Sequence, residues 1–465
     1  MAESVTGLAT RRRHIASSAV ELNAADLARR LGGTLVVDGL VVDGLVVDGL
    51  AIDSRLVRPH QLFAALTAER DGHDFVPSAF AAGAAAALVE RADPGWGGPS
   101  IVVPSVRDAL AELARVARER LPDRVVGVTG SVGKTTTKDL LANVAARGLA
   151  TVASEKSFNN ELGVPLTLAN APAGTEAAVI EMGARGAGHI RFLCELARPT
   201  VGVVTVVEGV HTEVMGTIEQ IALAKRELVE HLPAGGAAVL NAADPNVAAM
   251  AAHTVAAVLT FGDGGEVHAT DVHVDDDLRA AFTLHSPWGA VPVRLGVRGA
   301  HNVTNALAAA ATGLWLGVGP DAVAEGLAEP PASPWRMELV RVPDGPTVLN
   351  DAYNAGPASM AAALQALGAL VVAPGGRRIA VLGVMAELGP EGPAEHRRIA
   401  ALAAELDIEV LAVGTGLYGV GDVVGDADDV AGALGKLGPD DAVLVKGSRV
   451  AGLERAAEAL TRPDR

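Results

Sequence analysis

The sequence predicts an α/β protein of three domains: a small α/β domain, a central P-loop domain with a mainly parallel sheet, and a C-terminal Rossmann-like domain. Three observations carry this prediction. A chain of 465 residues, 49% of them hydrophobic, is long enough for several separate cores. From residue 125 onward, short apolar runs alternate with helical periodicity, the pattern of parallel strands covered by helices. Proline-containing breaks at 121–124 and in PPASPWRME interrupt that alternation. They set the expected domains at 21–122, 123–338 and 339–465, with 1–20 as a disordered extension.

Charge and composition narrow the function classes. With 38 basic against 55 acidic residues the formal charge is −17, which argues against a broad nucleic-acid or anionic-membrane surface and requires anionic ligands to be held in a local pocket. Aromatic residues make up 3%, too few for base-stacking platforms. Cys194 is the only cysteine, so no intrachain disulfide forms and a cytoplasmic location is expected. Apolar stretches such as 79–89 are too short to span a bilayer, and Arg11, Arg12 and Arg13 are not followed by the apolar core of a signal peptide. No membrane insertion and a monomer are expected.

The first domain opens with a helix over 24–31. Three tandem copies of VVDGL follow at 36–50, read as short strands with Asp-Gly turns. A five-residue period reverses the pleat between copies, so one uniform amphipathic strand is excluded and the repeat is taken as a duplication without chemistry. In the next segment Asp53, Ser54 and Arg55 suit either a phosphate or an ordinary turn, and 69–75 form a polar loop.

The central domain carries the strongest local signal. A strand containing Val125, Val126 and Val128 runs into Thr129, Gly130, Ser131, Val132, Gly133, Lys134, Thr135 and Thr136, and then into a helix. Gly130 and Gly133 permit positive φ and close backbone approach, the helix N-terminus and Lys134 suit phosphates, and Thr135 offers a hydroxyl to Mg²⁺. The match is to the shorter core GxxGK[ST], because Val128 stands where the strict pattern has glycine. Kinase, motor, switch and ligase all remain open at this point.

Polar residues gather where later strands end. A strand over 177–180 ends in Glu181, and another over 201–207 is followed by Glu208 and His211. Open α/β sheets bind ligands outside the carboxyl ends of their strands. On a helix over 217–232, Ile218, Ile221, Leu228 and Leu232 form an apolar stripe that also contains Lys225. Either this lysine snorkels at the stripe's edge, or it is a desolvated amine with a lowered pKa that reacts or carries a modification. Asn302 and Asn305 share one helix face, suited to capping or to reading a base edge, and Arg336 in the second linker can reach a phosphate. In the third domain, strands at 347–349, 379–383, 410–413 and 442–445 precede three polar clusters: Asp351, Tyr353 and Asn354; Glu387 and His396; Lys446, Ser448 and Arg449.

Together the segments DSRLVRPHQLFAAL, ERDGHDF, TGSVGKTTTKDLL, SFNNELGVPLTL, IEMGARGAGHI, GAHNVTNALAA, NDAYNAGPASM, VLGVMAELG and VKGSR resemble the Mur ligases, ATP-dependent enzymes of peptidoglycan precursor synthesis. The resemblance extends from about Leu22 to the C-terminus. It implies an N-terminal domain holding a UDP sugar, a central ATPase, and a C-terminal domain closing over the site. Its best match within the family implies addition of D-alanyl-D-alanine to UDP-N-acetylmuramoyl tripeptide through an acyl phosphate, with ATP and Mg²⁺.

By family position, Lys134 and its loop hold phosphates, while Thr135, Glu181 and His211 serve the metals. Lys225 falls where these ligases carry a carbamylated lysine. Asn302 and Asn305 meet adenine, Arg336 a nucleotide phosphate and Asp351 the ribose. Asn159 and Asn160 contact substrate, Ser54 and Arg55 the UDP sugar, and Lys446, Ser448 and Arg449 the incoming dipeptide's carboxylate. Ser131 and Val132 replace the Thr-Asn of the family's TGTNGKT. A DNPR motif, associated with the preceding ligase step, is absent from the C-terminal segment. Another Mur step, a folylpolyglutamate synthase-like ligase and a non-catalytic nucleotide-binding regulator are the competing readings.

Overall fold

Residues 21–37, 44–209, 215–419 and 421–462 are described by a computed structural model. The N-terminal extension 1–20 and part of the VVDGL repeat lie outside them.

In the N-terminal region, β1 (Glu21–Asn23) pairs antiparallel with β3 (Val46–Asp48), the third VVDGL copy. β2 (Thr34–Val36), β4 (Leu50–Ala51), β5 (Leu62–Ala64), β6 (Ala86–Val89) and β7 (Ser100–Val102) form a sheet of order β2–β7–β6–β5–β4, antiparallel only at β2–β7. The expected helix over 24–31 is Ala24–Arg30, capped by the Asn23 side chain.

The central sheet is wholly parallel, in the order β13–β12–β11–β8–β10–β9. Its strands are β8 (Val125–Thr129), β9 (Thr151–Ala153), β10 (Ala177–Glu181), β11 (Val201–Val204), β12 (Ala237–Asn241) and β13 (Ala257–Phe261). Both faces are covered, which is why these strands read as continuous apolar runs. Val125, Ala178, Ile180 and Val204 pack into one core with helices Val106–Arg118, Gly163–Ala169, His189–Ala197 and Ile218–Glu230. Val126, Val128, Val179 and Val203 face the opposite core, with helices Lys134–Ala145, Asn302–Trp315 and Pro320–Leu327.

The first of these cores runs without a break from Leu22 to Ala256, across the 121–124 linker. Buried Arg118 reinforces the junction by donating to the carbonyls of Ala197, Leu121 and Arg198.

Between β13 and helix Asn302–Trp315 stands an antiparallel sheet that the strand-helix reading did not anticipate: β14 (His268–Val274), β15 (Arg279–Ser286) and β16 (Gly289–Arg298). In β16, Val291, Val293, Leu295 and Val297 are buried while Ala290, Pro292 and Arg294 are exposed, so the sheet covers the second core with one face.

The C-terminal sheet has the order β17–β18–β22–β19–β20–β21 and is antiparallel only at β17–β18. It comprises β17 (Glu338–Arg341), β18 (Thr347–Asn350), β19 (Arg378–Leu382), β20 (Glu409–Val413), β21 (Asp422–Val424) and β22 (Ala442–Lys446). Leu349, Ala380 and Leu444 face helices Pro357–Ala369 and Gly392–Glu405, whereas Val348, Val381 and Val443 face Glu454–Thr461. The carboxyl ends of both large sheets open on one cleft.

Candidate active site

The phosphate loop is held open by contacts that forbid side chains at its glycines. Gly130 has φ +147°, and a Cβ there would lie 1.9 Å from Thr205 Oγ1. Gly133 has φ +83°, and its Cβ would lie 2.2 Å from Asn305 Oδ1. Thr205, just after β11, donates from Oγ1 to the Val132 carbonyl at 2.6 Å. Ser131 Oγ donates to the Glu208 carbonyl and accepts from the Glu208 amide, both at 2.9 Å. Ser131, in place of the family's threonine, thus fastens the loop to the segment after β11. Thr129 Oγ1 donates to the Met182 carbonyl, and Thr135 and Thr136 are buried in the first helical turn.

Lys134 Nζ donates to the carbonyls of Gly130 (2.7 Å) and Ser131 (2.8 Å). Burial lowers its pKa, while the Glu181 carboxylate acts in the opposite direction. Glu181, at the carboxyl end of β10, is 1% exposed. One of its oxygens accepts from Asn159 Nδ2 at 2.8 Å; the other, Oε2, is buried without a hydrogen-bond partner. Lys225 is 4% exposed on the inward face of helix Ile218–Glu230 and has no hydrogen-bond partner among the described residues. Burial, and then repulsion from Lys134, holds its amine well below the ordinary lysine pKa. The structure therefore favours the desolvated amine over a snorkelling one. His211 lies outside the described residues.

These groups line a cleft of about 1050 Å³, with Asn159, Asn160, Asn302, Asn305, Arg336, Asp351, Lys446, Ser448 and Arg449 also on its walls. Three family models match the chain in series: "Mur ligase family, catalytic domain" over 46–122, "Mur ligase middle domain" over 128–313, and "Mur ligase, glutamate ligase domain" over 335–449. A UDP-N-acetylmuramoyl-tripeptide--D-alanyl-D-alanine ligase of Mycobacterium tuberculosis is 42% identical, covering 96% of this chain and 98% of that protein. MurF from Acinetobacter baumannii superposes with a TM-score of 0.84 at 29% identity, over 96% of this chain and 99% of that one. MurF ligase from Thermotoga maritima, solved in complex with ADP, gives 0.75 at 29% identity, over 89% and 97%.

The chain belongs to the Mur ligase family. In this Mur ligase the paired asparagines are tied to each other and to the end of β16: Asn305 Nδ2 donates to Asn302 Oδ1 (2.7 Å), and Asn302 Nδ2 to the Arg298 carbonyl (2.6 Å). Arg336 stacks on Tyr353 with 4.2 Å between guanidinium carbon and ring centre, and its Nε is buried without a partner. Asp351 and Lys446 are joined to each other at 2.5 Å. Asp351 also accepts from the Met337 amide, and Lys446 donates to the Asn354 carbonyl. Ser448 Oγ accepts from the Ala386 amide, while Arg449 pairs with Glu454 and lies over Trp335.

Asn160 caps the turn into helix Gly163–Ala169 through the amides of Leu162 and Gly163. Ser54 and Arg55 stand apart from this cleft. They occupy a turn capped by Asp53, which Arg55 grips with two guanidinium nitrogens.

The residues fit a divalent cation, although among the described residues no three His, Cys, Asp or Glu cluster together. Mg²⁺ is commonly held by one or two carboxylates plus phosphate oxygens. The orphaned Glu181 oxygen and the Thr135 hydroxyl are donors of that kind. Sequence reasoning passed over Asn241, Asp244 and Asn246, which also line the cleft. Their signal was available in LNAADPN, another polar run at the end of an apolar strand.

Proposed function

We propose that this Mur ligase joins D-alanyl-D-alanine to the terminal carboxylate of UDP-N-acetylmuramoyl tripeptide, at the expense of ATP, in the cytoplasm and as a monomer. The observation that carries the chemistry is the buried, unpartnered Glu181 oxygen and the buried Lys225 amine, without a hydrogen-bond partner among the described residues, in the same cleft as the glycine loop. A carboxylate is a poor electrophile. Its oxygen attacks the γ-phosphorus of ATP, ADP departs, and the acyl phosphate that results has a good leaving group. The dipeptide's amine then forms the C–N bond as phosphate leaves with the C–O electron pair and the amine gives up a proton.

The chain's contribution is alignment and electrostatics. The backbone of 130–134 cradles phosphates, and Lys134 exchanges its loop carbonyls for phosphate oxygens. Glu181, Thr135 and Lys225 would hold Mg²⁺, which would supply charge neutralisation at the transferring phosphoryl group. For Lys225 the reading is carbamylation: burial and Lys134 disfavour its charged form, and the neutral amine's nitrogen adds to CO₂, losing a proton and becoming an anionic ligand. Asn302 and Asn305 face the base, Arg336 a phosphate and Asp351 the ribose. Ser54 and Arg55 face the UDP sugar, Asn159 and Asn160 the acceptor, and Lys446, Ser448 and Arg449 the dipeptide.

Incubation with ATP, Mg²⁺, UDP-N-acetylmuramoyl tripeptide and D-alanyl-D-alanine tests this directly. Phosphate release and the pentapeptide product are expected to rise together. Phosphate release that ignores the dipeptide would refute the assignment.

A further inference from the structure

The helix that follows the phosphate loop buries a charged pair with no part in the chemistry above. The side chains of Lys138 and Asp139 are each 2% exposed, with Nζ 2.5 Å from Asp139 Oδ1. Lys138 Nζ also donates to the carbonyls of Ser154 (2.8 Å) and Lys156 (3.1 Å). Asp139 Oδ2 accepts from the Ser333 amide at 2.9 Å.

The pair therefore grips two segments at once. Residues 154–160 carry Asn159, the partner of Glu181, and residues 333–337 carry Arg336. The two segments also meet across the cleft, because Arg336 stacks on Tyr353 and the Tyr353 hydroxyl hydrogen-bonds to Ser157 Oγ. The contacts close a circuit: Lys138 to Lys156, along the chain to Ser157, across to Tyr353, to Arg336, back to Ser333, and to Asp139. Trp335 and Met337, on either side of Arg336, hold left-handed φ values of 59° and 53°, which non-glycine residues keep only where their surroundings fix them.

A well-packed apolar pair stabilises a buried helix face as well as an ion pair does, so stability alone does not account for charges here. Two lysine-bound carbonyls and one aspartate-bound amide do specify where two separate segments lie. We propose that Lys138 and Asp139 are positioning residues for the ligase reaction, setting the Asn159–Glu181 segment and the Arg336 linker from one rigid helix.

The inference rests on the ligase reading, and Asp139→Asn tests it. Two donors, Lys138 Nζ and the Ser333 amide, converge on two carboxylate oxygens; an amide supplies one acceptor, so one donor loses its partner. We expect kcat to fall at least about tenfold and ADP affinity clearly less, because Arg336 is one proposed nucleotide contact beside the intact phosphate loop, and misplacement by an ångström costs chemistry more than binding. Amide exchange in 333–337 should accelerate while helix Lys134–Ala145 stays protected. The double variant Lys138→Met/Asp139→Leu removes both anchors without leaving a buried charge. It should bind ADP and turn over slowly.

Turnover within about threefold of wild type in either variant overturns the proposal, as does a parallel loss of turnover and ADP binding in both. Exchange and ADP binding need no turnover. A wild-type protein inactive on the named substrates would therefore refute the ligase reading and leave the anchor to be judged by exchange.

Discussion

Glu181→Gln separates a metal-binding carboxylate from a structural one, and its consequences have opposite signs with and without ligand. In the wild type one carboxylate oxygen is used by Asn159 at 2.8 Å and the other is buried and unbonded. A glutamine that keeps the Asn159 contact must place its NH₂ where Oε2 stood, presenting donors to any cation. Without ligand the variant should be more stable by about 1 kcal/mol, since a buried unsatisfied charged atom is removed, offset in part by losing attraction to Lys134. With Mg²⁺ and ADP at about 100 times Kd the wild type gains about 2.7 kcal/mol, and the variant should lose most of the Mg²⁺-dependent part. Turnover should fall by about 10² to 10³, the usual effect of removing one group that stabilises transition-state charge. Denaturation midpoints with ADP, with and without Mg²⁺, read the first two effects and phosphate release the third. A variant that keeps the full Mg²⁺-dependent gain, or turns over within about tenfold of wild type, refutes the metal role.

Three further substitutions probe other parts of the site and fold. Lys225→Ala should abolish turnover, with partial rescue by a small carboxylate filling the vacated space; near-normal activity without added carboxylate would rule out a metal-ligand role. Gly130→Ala forces a Cβ to 1.9 Å from Thr205 Oγ1 at φ +147°, so ADP affinity measured by calorimetry should drop at least about tenfold, with some recovery in Gly130→Ala/Thr205→Ala. His396 gives a pH test. Its ring is buried, accepts from the Met385 amide and donates to the Gly392 carbonyl; burial lowers its pKa against that carbonyl and Glu395. A folded pKa below the unfolded value of about 6.5 means that the unfolded chain takes the proton first. This contribution is therefore complete above about pH 6.5 and is lost as pH falls from there toward the folded pKa. The thermal midpoint should fall in that window for wild type and less steeply for His396→Gln.

The parts of the fold that were legible in sequence are those whose burial is decided locally. β8, β10, β11, β19 and β22 are buried along their lengths or nearly so, and buried parallel strands are apolar runs whatever surrounds them. Lys225 was conspicuous because the stripe around it lies on its own helix. The antiparallel sheet was missed although its alternation is plain in Val291, Val293, Leu295 and Val297; a reading tuned to continuous apolar runs passes over a half-exposed one. Lys138 and Asp139 carried no local signal. Adjacent charges after a phosphate loop read as a solvated face, and they are buried by Ser154, Lys156 and Ser333, which are distant in sequence. The Asp351–Lys446 pair spans 95 residues and was likewise assigned as two separate ligand contacts.

That pairing clarifies how a protein of charge −17 prepares a site for a triphosphate. Lys138 is neutralised by Asp139, Lys446 by Asp351, and Arg336 is stacked on Tyr353. Lys134 and Lys225 remain in the cleft without a carboxylate in ion-pair reach among the described residues, and burial lowers both pKa values. Their roles must differ. Two ammonium groups in the cleft that holds Glu181 would repel the divalent cation that its free oxygen can accept, whereas one ammonium for the phosphates and one neutral amine would not. The Glu181 carboxylate raises the Lys134 pKa against its burial, whereas Lys134 lowers that of Lys225 further, so in the proposed site Lys134 suits the part of the cation and Lys225 that of the amine. The same electrostatic coupling that makes Lys225 costly to bury as a cation suits it to become an anionic ligand.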